Sequence, residues 1–386
     1  MPPRRRPDRE PSRFMLKQAE DLFPDPAERE EFVRAMMAGE SRELCIIVME
    51  DRPEIRTFPR LGATPWQPEF VIRLAEGFKA SKHALYAKGA FYSLDFSSVF
   101  SASAMLAIPD APKSVLDLCA APGGKAVFAW RAFRPQVLAC NETIRKRAGT
   151  LIQNLERCKV EAASVWSADP SVWPKKCPQG FDLVVVDAPC SGQSLLAKGD
   201  DAPDCFLPSM IEMNVGRQRR IAAHAAKCVK PGGHLLYATC TFSIKENEKV
   251  MAWLMKEFPH FVAAEVPRLA ALQSKYADFP CYRLFPHYGI GAGAFVALLR
   301  NTAPVPEEEA ELVVPAWWRY GDPPRTPKTP EPVEGSATEA EEEKKPAAPE
   351  KKFTGPNRRR RKELARQAPP ARRKSSPHRR GRRGRG

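Results

Sequence analysis

Val-Leu-Asp-Leu-Cys-Ala-Ala-Pro-Gly-Gly-Lys, residues 115–125, is a short apolar run that breaks into a proline–glycine turn. The run predicts a buried parallel strand, and the residues that follow Lys125 predict a helix. A strand, a glycine turn and a helix N-terminus let backbone approach a ligand and point free N–H groups at it. We therefore predict a ligand site here; a turn that binds nothing is the alternative reading of the two glycines alone.

Two common phosphate-binding patterns do not fit this turn. A P-loop would need glycine at position 119 and serine or threonine at position 126, where the chain has Cys119 and Ala126. The dinucleotide pattern G-x-G-x-x-G is absent as well. The ligand is therefore expected to be held in some other way.

The alternation of strands and helices continues downstream and sets the fold class. Strands are predicted at 114–120, 136–140, 163–166, 181–186 and 234–239, with helices between them and two more strands within 281–300. This order predicts an α/β fold with a mainly parallel sheet flanked by helices on both faces. Ser243 and Glu246 have the spacing of a capping box, which predicts a helix from there to about Phe258.

Composition divides the chain around this domain. We predict a flexible basic leader at 1–25, a small α/β region at 26–105, the main domain at 106–300, a Pro/Glu-rich linker at 301–350 and a disordered basic tail at 351–386. The linker has a net charge of −7, and its segment Val313–Tyr320 is expected to dock back on the core.

The formal net charge of +15 belongs to the tail. Residues 351–386 hold 16 lysines and arginines and one acid, Glu363, so residues 1–350 sum to zero. Such a tail either grips phosphates without sequence preference or only solubilises the chain. The folded part must bind any polyanion through a local patch.

Membrane and secretory classes are excluded by composition. No apolar run approaches the roughly 18 residues that a membrane span needs, and no apolar segment follows the basic N-terminus. The ten cysteines form no C-x-x-C pair, so neither a zinc ribbon nor a redox dithiol is indicated. Scattered cysteines fit a reducing compartment, and we expect a cytoplasmic protein without a metal.

Acidic residues lie in or just after four of the predicted strands, namely Asp117, Glu142, Asp169 and Asp187. The carboxyl ends of parallel strands meet at one edge of a sheet, so these side chains should line one cleft. A carboxylate after the second strand is the usual grip on a ribose diol.

Two cysteines follow strands at the same edge. Cys190 and Cys240 lie near helix starts, where a thiolate is favoured. Cys119, Cys140, Cys158 and Cys228 are expected to be small buried residues. We therefore assign a functional role to this pair.

Three motifs together resemble the RNA cytosine-5 methyltransferases of the Sun/RsmB/RsmF type: Asp117–Lys125, Asp187–Gly192 and Tyr237–Thr241. Arg283–His287 resembles the last motif of that family, and Gly89–Ser98 resembles the segment that precedes its cofactor domain. The likeness covers residues 25–300. The three main motifs in this order and spacing are highly specific.

The resemblance implies a Rossmann-like methyltransferase fold at 106–300, with 26–105 as an RNA-binding lead-in, and S-adenosylmethionine as methyl donor. The residues implied around the methionine part are Cys119, Ala120, Ala121, Pro122, Gly123, Gly124 and Lys125. Glu142 would take the ribose hydroxyls and Asp169 the adenine. Asp187 would border both the methyl donor and the target base.

The same resemblance makes Cys240 the nucleophile and gives Cys190 a part in product release. A thiolate that adds at C6 of cytosine turns C5 into a carbon nucleophile, and Asp187 near N3 would stabilise the charge on the ring. The residues alone leave open which thiol attacks. Departures from the family pattern at Leu94, Thr241 and 291–295 concern substrate fit more than chemistry.

The partner implied is RNA, ribosomal RNA before transfer RNA, with the target base unstacked and the enzyme a monomer. One rival is a methyltransferase acting on an amine, which needs no thiol. Another is a non-catalytic RNA-binding or ribosome-assembly factor on the same scaffold, which has no need for Asp187 and both cysteines. A zinc deaminase would require a second cysteine at position 193, where the chain has Gln193.

Overall fold

The apolar run of residues 115–118 enters the middle of a large sheet in the computed structural model, which describes residues 10–305, 307 and 311–322. The described strands are β1 (Leu44–Val48), β2 (Val71–Arg73), β3 (Phe91–Asp95), β4 (Ser114–Asp117), β5 (Val137–Asn141), β6 (Ala163–Trp166), β7 (Phe181–Asp187), β8 (Val229–Thr239), β9 (Phe261–Ala263), β10 (Tyr282–Leu284), β11 (Ala294–Asn301) and β12 (Trp318–Arg319). The described α-helices are α1 (Arg13–Leu22), α2 (Pro26–Ala38), α3 (Pro53–Arg56), α4 (Ala84–Ala87), α5 (Phe96–Ser103), α6 (Gly124–Phe133), α7 (Arg145–Arg157), α8 (Trp173–Lys176), α9 (Gln193–Ala197), α10 (Pro208–Ala226) and α11 (Glu248–Glu257).

The large sheet has the order β10-β11-β8-β7-β4-β5-β6-β12, with β9 paired to β11. Strands β4 to β8 are parallel to their neighbours among themselves, whereas β9 to β12 join antiparallel. This is a Rossmann-like arrangement, so the predicted fold class is confirmed. The carboxyl ends of the five parallel strands share one edge of the sheet, where ligands bind in such folds.

Both faces of the sheet are buried, which explains why the parallel strands are nearly continuous apolar runs. On β4, Val115 faces a core that contains Phe128 of α6 and Leu151 of α7. The next residue, Leu116, faces the opposite core, which contains Ile221 of α10 and Met251 of α11. Consecutive strand residues point to opposite faces, so a sheet covered on both sides needs apolar residues at every position.

The N-terminal region forms a second, three-stranded sheet of order β2-β1-β3. Strand β3 runs directly into α5, whose N-terminus is capped by the Asp95 carboxylate accepting from the backbone N–H of Ser97 at 3.1 Å. Phe96 at this junction stacks on Trp66, with ring centroids 4.7 Å apart. This packing fixes the end of β3 beside the glycine turn of the large domain.

The predicted flexible leader at 1–25 requires a correction, because part of it is a packed helix. Helix α1 begins after Ser12, whose hydroxyl accepts from the backbone N–H of Met15 at 3.2 Å. Met15, Ala19 and Leu22 are fully buried and pack in one cluster with Phe206, Phe242 and Phe285. The i, i+4, i+7 spacing of these three residues is a helical signal that the basic composition of the segment obscures.

A second correction concerns the helix predicted from a capping box at Ser243 and Glu246. Helix α11 begins only at Glu248, and its N-cap residue is Asn247. One half of the capping box forms, because the Ser243 hydroxyl accepts from the backbone N–H of Glu246 at 3.4 Å. The Glu246 carboxylate does not complete it; it accepts from the N–H and the hydroxyl of Ser191. Tertiary contacts therefore take this side chain away from local capping.

The segment that follows β11 returns to the sheet, as expected for Val313–Tyr320. Trp318 is buried, and β12 pairs antiparallel with β6 through Trp318 and Val165. Residues 1–9, most of the predicted linker at 301–350 and the whole predicted tail at 351–386 lie outside the described residues. Among those described, no helix has the length and apolar character to cross a membrane.

Candidate active site

Two side chains from neighbouring elements form hydrogen bonds with the backbone in and just before the glycine turn at 119–124. The Asn141 side chain at the end of β5 is buried and donates to the carbonyls of Leu118, at 3.2 Å, and Ala168, at 3.0 Å. The Arg147 guanidinium donates to the carbonyl of Ala121 at 2.8 Å. Sequence reasoning did not find Asn141, because a polar strand residue carries no signal of what its amide will bind.

A cavity of about 240 Å³ lies at this edge, between the glycine turn and β3. Its lining is Tyr92, Ser93, Leu94, Asp95, Ser98, Asp117, Ala120, Ala121, Pro122, Gly124, Lys125 and Asp187. The cavity therefore has two walls. The lead-in region supplies one wall, and the turn of the large domain supplies the other.

Gly123 is required by backbone conformation, and Gly124 keeps the wall of the cavity free of a side chain. Gly123 has φ +116°, and a Cβ there would lie 3.2 Å from Leu151 Cδ1. A Cβ at Gly124 would lie 3.5 Å from Leu94 Cδ1, toward the cavity. The turn is therefore shaped for close approach of a ligand to backbone.

Asp117 is a buried carboxyl beneath the turn. Its Oδ1 accepts from the backbone N–H of Cys119 at 3.3 Å, while Oδ2 is buried and accepts no hydrogen bond from the described residues. Burial, with the nearby Asp187 charge, raises the pKa of Asp117 to about 7, and Lys125 opposes this. An acceptor of this kind suits an ammonium group of a ligand.

The other two predicted acids, Glu142 and Asp169, lie outside the cavity lining. Glu142 is buried after β5, accepts from the backbone N–H of Ile144 at 2.9 Å and pairs with Arg147 at 3.1 Å. Asp169 is exposed and caps a 3₁₀ turn by accepting from the backbone N–H of Ser171 at 2.9 Å, which lowers its pKa. Their roles toward a nucleoside stay predictions.

Lys125 and Asp187 form an ion pair across the cavity wall, with Nζ 2.7 Å from Oδ2. The Lys125 side chain is 6% exposed, whereas that of Asp187 is 45% exposed. The carboxylate therefore presents to an incoming molecule, and the buried ammonium supports it from behind.

The two cysteines singled out in the sequence lie side by side. Cys190 follows β7 and Cys240 follows β8, and their sulfur atoms are 3.3 Å apart. Both are free thiols and partly exposed. Strands β7 and β8 are adjacent and parallel, with Asp187 opposite Ala238, so the turns that follow them carry both thiols to the edge that holds the cavity.

The two thiols differ in their charge environment. The shared hydrogen bond with Cys190 lowers the pKa of Cys240, with further help from Lys198 and the Ser194 hydroxyl, against burial and Asp187. The same hydrogen bond, burial and the nearby Glu246 carboxylate raise the pKa of Cys190. Of the two thiols, Cys240 is therefore the one that ionises more readily.

A buried glutamate, Glu246, joins the two cysteine-bearing turns. Its carboxylate accepts from the Ser191 N–H at 2.8 Å, the Ser191 hydroxyl at 2.6 Å, the Gln218 amide at 2.9 Å and the Thr241 hydroxyl at 3.3 Å. Ser191 follows Cys190 and Thr241 follows Cys240, so one side chain links the two turns that carry the thiols.

The cleft fits the methionine part of S-adenosylmethionine. The glycine turn leaves room where side chains would intrude, and the unpartnered Asp117 Oδ2 offers an acceptor for the amino group. When bound, this cofactor supplies an electrophilic methyl group on a sulfonium sulfur. Among the described residues no group of three or more His, Cys, Asp and Glu side chains could hold a metal ion.

A Rossmann-like sheet with this turn after its first strand defines the class of S-adenosylmethionine-dependent methyltransferases. The structural neighbours have the same fold. NSun6 from Pyrococcus horikoshii, solved with SFG, superposes with a TM-score of 0.64 at 17% identity, covering 76% of this chain and 99% of that one. A methyltransferase homolog protein from the same organism superposes with a TM-score of 0.59 at 21% identity, covering 75% and 100%.

The chain belongs to the RsmB/F family of 16S rRNA methyltransferases, whose family model matches residues 104–300. Ribosomal RNA small subunit methyltransferase F of Pectobacterium atrosepticum is 30% identical over 313 residues, which cover 77% of this chain and 63% of that protein. The protein of the same name from Erwinia tasmaniensis is 30% identical over 325 residues, covering 81% and 67%. The chain thus spans about two thirds of the length of these relatives.

Proposed function

We propose that this protein transfers a methyl group from S-adenosylmethionine to C5 of a cytosine in RNA, through a covalent bond between Cys240 and C6 of the base. The observation that carries the proposal is the pair of thiols 3.3 Å apart beside the Lys125–Asp187 ion pair. A methyltransferase that acts on an amine has no use for two thiols.

The residues divide the chemistry as follows. The Cys240 thiolate adds to C6, and the electron pair of the C5–C6 double bond becomes available at C5. C5 takes the methyl group as the bond from that methyl to the sulfonium sulfur breaks, which leaves S-adenosylhomocysteine. N3 takes up a proton from water as the sulfur adds, and Asp187, with Lys125 behind it, would accept a hydrogen bond from the protonated N3. Transfer of the C5 proton to water then re-forms the double bond, and the bond between C6 and sulfur breaks with its electron pair returning to the Cys240 sulfur.

Cys190 acts in this last step. Its pKa is raised, so it holds its proton while Cys240 carries the negative charge. A neutral thiol 3.3 Å from the departing sulfur stabilises the re-forming thiolate by hydrogen bonding. Without it the adduct should persist.

This division of labour gives a direct test with the full chain, S-adenosylmethionine and RNA. Cys240→Ala is expected to abolish methyl transfer, and Cys190→Ala is expected to accumulate a protein–RNA adduct on denaturing gels. Cys228→Ala is the matched control, since Cys228 is a buried thiol at the other end of β8. An adduct that forms with Cys240→Ala and not with Cys190→Ala would reverse the two roles.

Ribosomal RNA is the substrate that we propose, because the named relatives are ribosomal RNA methyltransferases of the small subunit. The enzyme would act in the cytoplasm as a monomer on an unstacked cytosine. Transfer of tritiated methyl groups to total RNA, followed by bisulfite mapping, identifies the RNA and the base. Transfer to transfer RNA alone would favour the second candidate substrate, and no transfer to any RNA would favour an assembly factor.

A further inference from the structure

Helix α9 brings one lysine close to the catalytic edge. The helix follows the Cys190 turn, and its Ser194 N–H donates to the Cys240 carbonyl at 3.0 Å. The Lys198 N–H donates to the Ser194 carbonyl at 3.1 Å, so Lys198 lies one helical turn from Ser194 on the same face. The start of α9 is therefore in direct contact with the turn that carries Cys240.

The Lys198 ammonium is held by an acid from the lead-in region. Its Nζ lies 3.3 Å from Asp95 Oδ1, and both side chains are 14% exposed. Asp95 lines the cavity that also contains Asp187, and its Oδ2 is buried without a hydrogen bond to any described residue. The positive charge is therefore fixed beside the cavity instead of moving in solvent.

The backbone around Lys198 is fixed as well. The Ser41 N–H donates to the Ala197 carbonyl at 2.9 Å. Gly199 has φ +80°, and a Cβ there would lie 2.6 Å from the Gly39 carbonyl oxygen. The two chain segments touch backbone to backbone, so the loop after α9 has little freedom to carry Lys198 away.

The charged groups that act on Cys240 oppose one another. Asp187 disfavours a thiolate at this position, and Lys198 favours it. Asp187 is itself paired with Lys125, and Lys198 with Asp95, while Cys190 and Cys240 share a hydrogen bond. The ionisation of the Cys240 thiol therefore depends in part on a lysine that lies outside all three motifs of the sequence.

We propose that Lys198, held by Asp95, is a positioning residue that keeps Cys240 in the thiolate form before the base arrives. The proposal rests on the nucleophilic role of Cys240 proposed above. Its test needs neither RNA nor cofactor, so the two proposals fail separately.

The test is the rate at which iodoacetamide alkylates Cys240 in the full chain at pH 7, read by peptide mass spectrometry. Lys198→Met is expected to slow this rate about threefold or more, because fewer sulfurs are ionised, and to move the midpoint of the rate–pH curve upward. Lys198→Arg keeps the charge and is expected to retain most of the rate. Lys198→Gln is a second neutral variant if the methionine variant does not fold.

The matched control is Lys245→Met, because Lys245 lies in the segment that follows Cys240 yet is 54% exposed and pairs with Glu212 at the surface. It should leave the alkylation rate unchanged. Folded neutral variants at Lys198 that react as fast as the natural chain would overturn the proposal, and so would equal slowing in Lys198→Arg. Retention of methyl transfer by Cys240→Ala would instead overturn the proposed function and leave this result standing.

Discussion

Glu246 shows how much of the catalytic geometry depends on one carboxylate. It is fully buried, and its two oxygens together accept hydrogen bonds from Ser191, Gln218 and Thr241. Burial raises its pKa, and the hydrogen bonds oppose that rise. A glutamine would have the same shape but would turn an amide donor toward groups that are themselves donors.

Glu246→Gln is therefore expected to lower the free energy of unfolding by about 1–3 kcal/mol, because buried donors lose their acceptor. Chemical denaturation measures this. Glu212→Gln is the control, since Glu212 is 58% exposed in its pair with Lys245 and should change stability by less than about 0.5 kcal/mol. Equal effects of the two substitutions would contradict the buried role of Glu246.

At the residue scale, the sequence predicted the site residues that follow strands. It did not predict the contacts between residues that are distant in the chain and meet only in the folded protein. Asp187, Cys190 and Cys240 could be placed at one edge because parallel strands end together. Asp95 and Lys198 could not be paired, since they lie far apart in the chain and meet only through packing. Glu246 was assigned to local capping because its spacing to Ser243 suits a capping box, whereas its carboxylate binds the Cys190 turn.

At the scale of elements, helix α1 helps to hold the turns that carry the two thiols. Its Gln18 side chain exchanges hydrogen bonds with Gln193 at 2.8 and 2.9 Å. Gln193 in turn accepts from the Phe242 N–H at 2.9 Å, two residues beyond Cys240. The helix therefore supports the turns on both sides of the thiol pair.

The packing of α1 can be tested by truncating one side chain on each face. Leu22→Ala is expected to lower the free energy of unfolding by about 2–5 kcal/mol, because Leu22 is fully buried and a cavity would remain. Leu16→Ala, on the same helix with a 41% exposed side chain, is expected to cost less than about 1 kcal/mol. A flexible leader would give no difference between the two in thermal or chemical unfolding.

At the scale of the whole molecule, the basic charge lies in residues 351–386, beyond the described part of the chain. Removal of these residues is expected to weaken RNA binding at low salt and to flatten the dependence of affinity on salt concentration. The reason is that fewer phosphate counterions would be released on binding. Titration of labelled RNA at several salt concentrations measures both.

A tail with the same composition in scrambled order is the control for this truncation. It should bind as the natural tail does, because phosphate contacts carry no sequence information. Unchanged affinity after truncation at 350 would show that the tail only solubilises the chain.

The small strand β12 has a consequence for how the chain can be shortened. By pairing with β6 it covers the outermost parallel strand, whose N–H and C=O groups would otherwise face outward as a template for another chain. A truncation at 350 retains β12, whereas one that ends before Trp318 removes it. The edge of β6 is then exposed, and we expect molecules to associate through it. Strand β12 therefore keeps this edge of the sheet from pairing with another molecule.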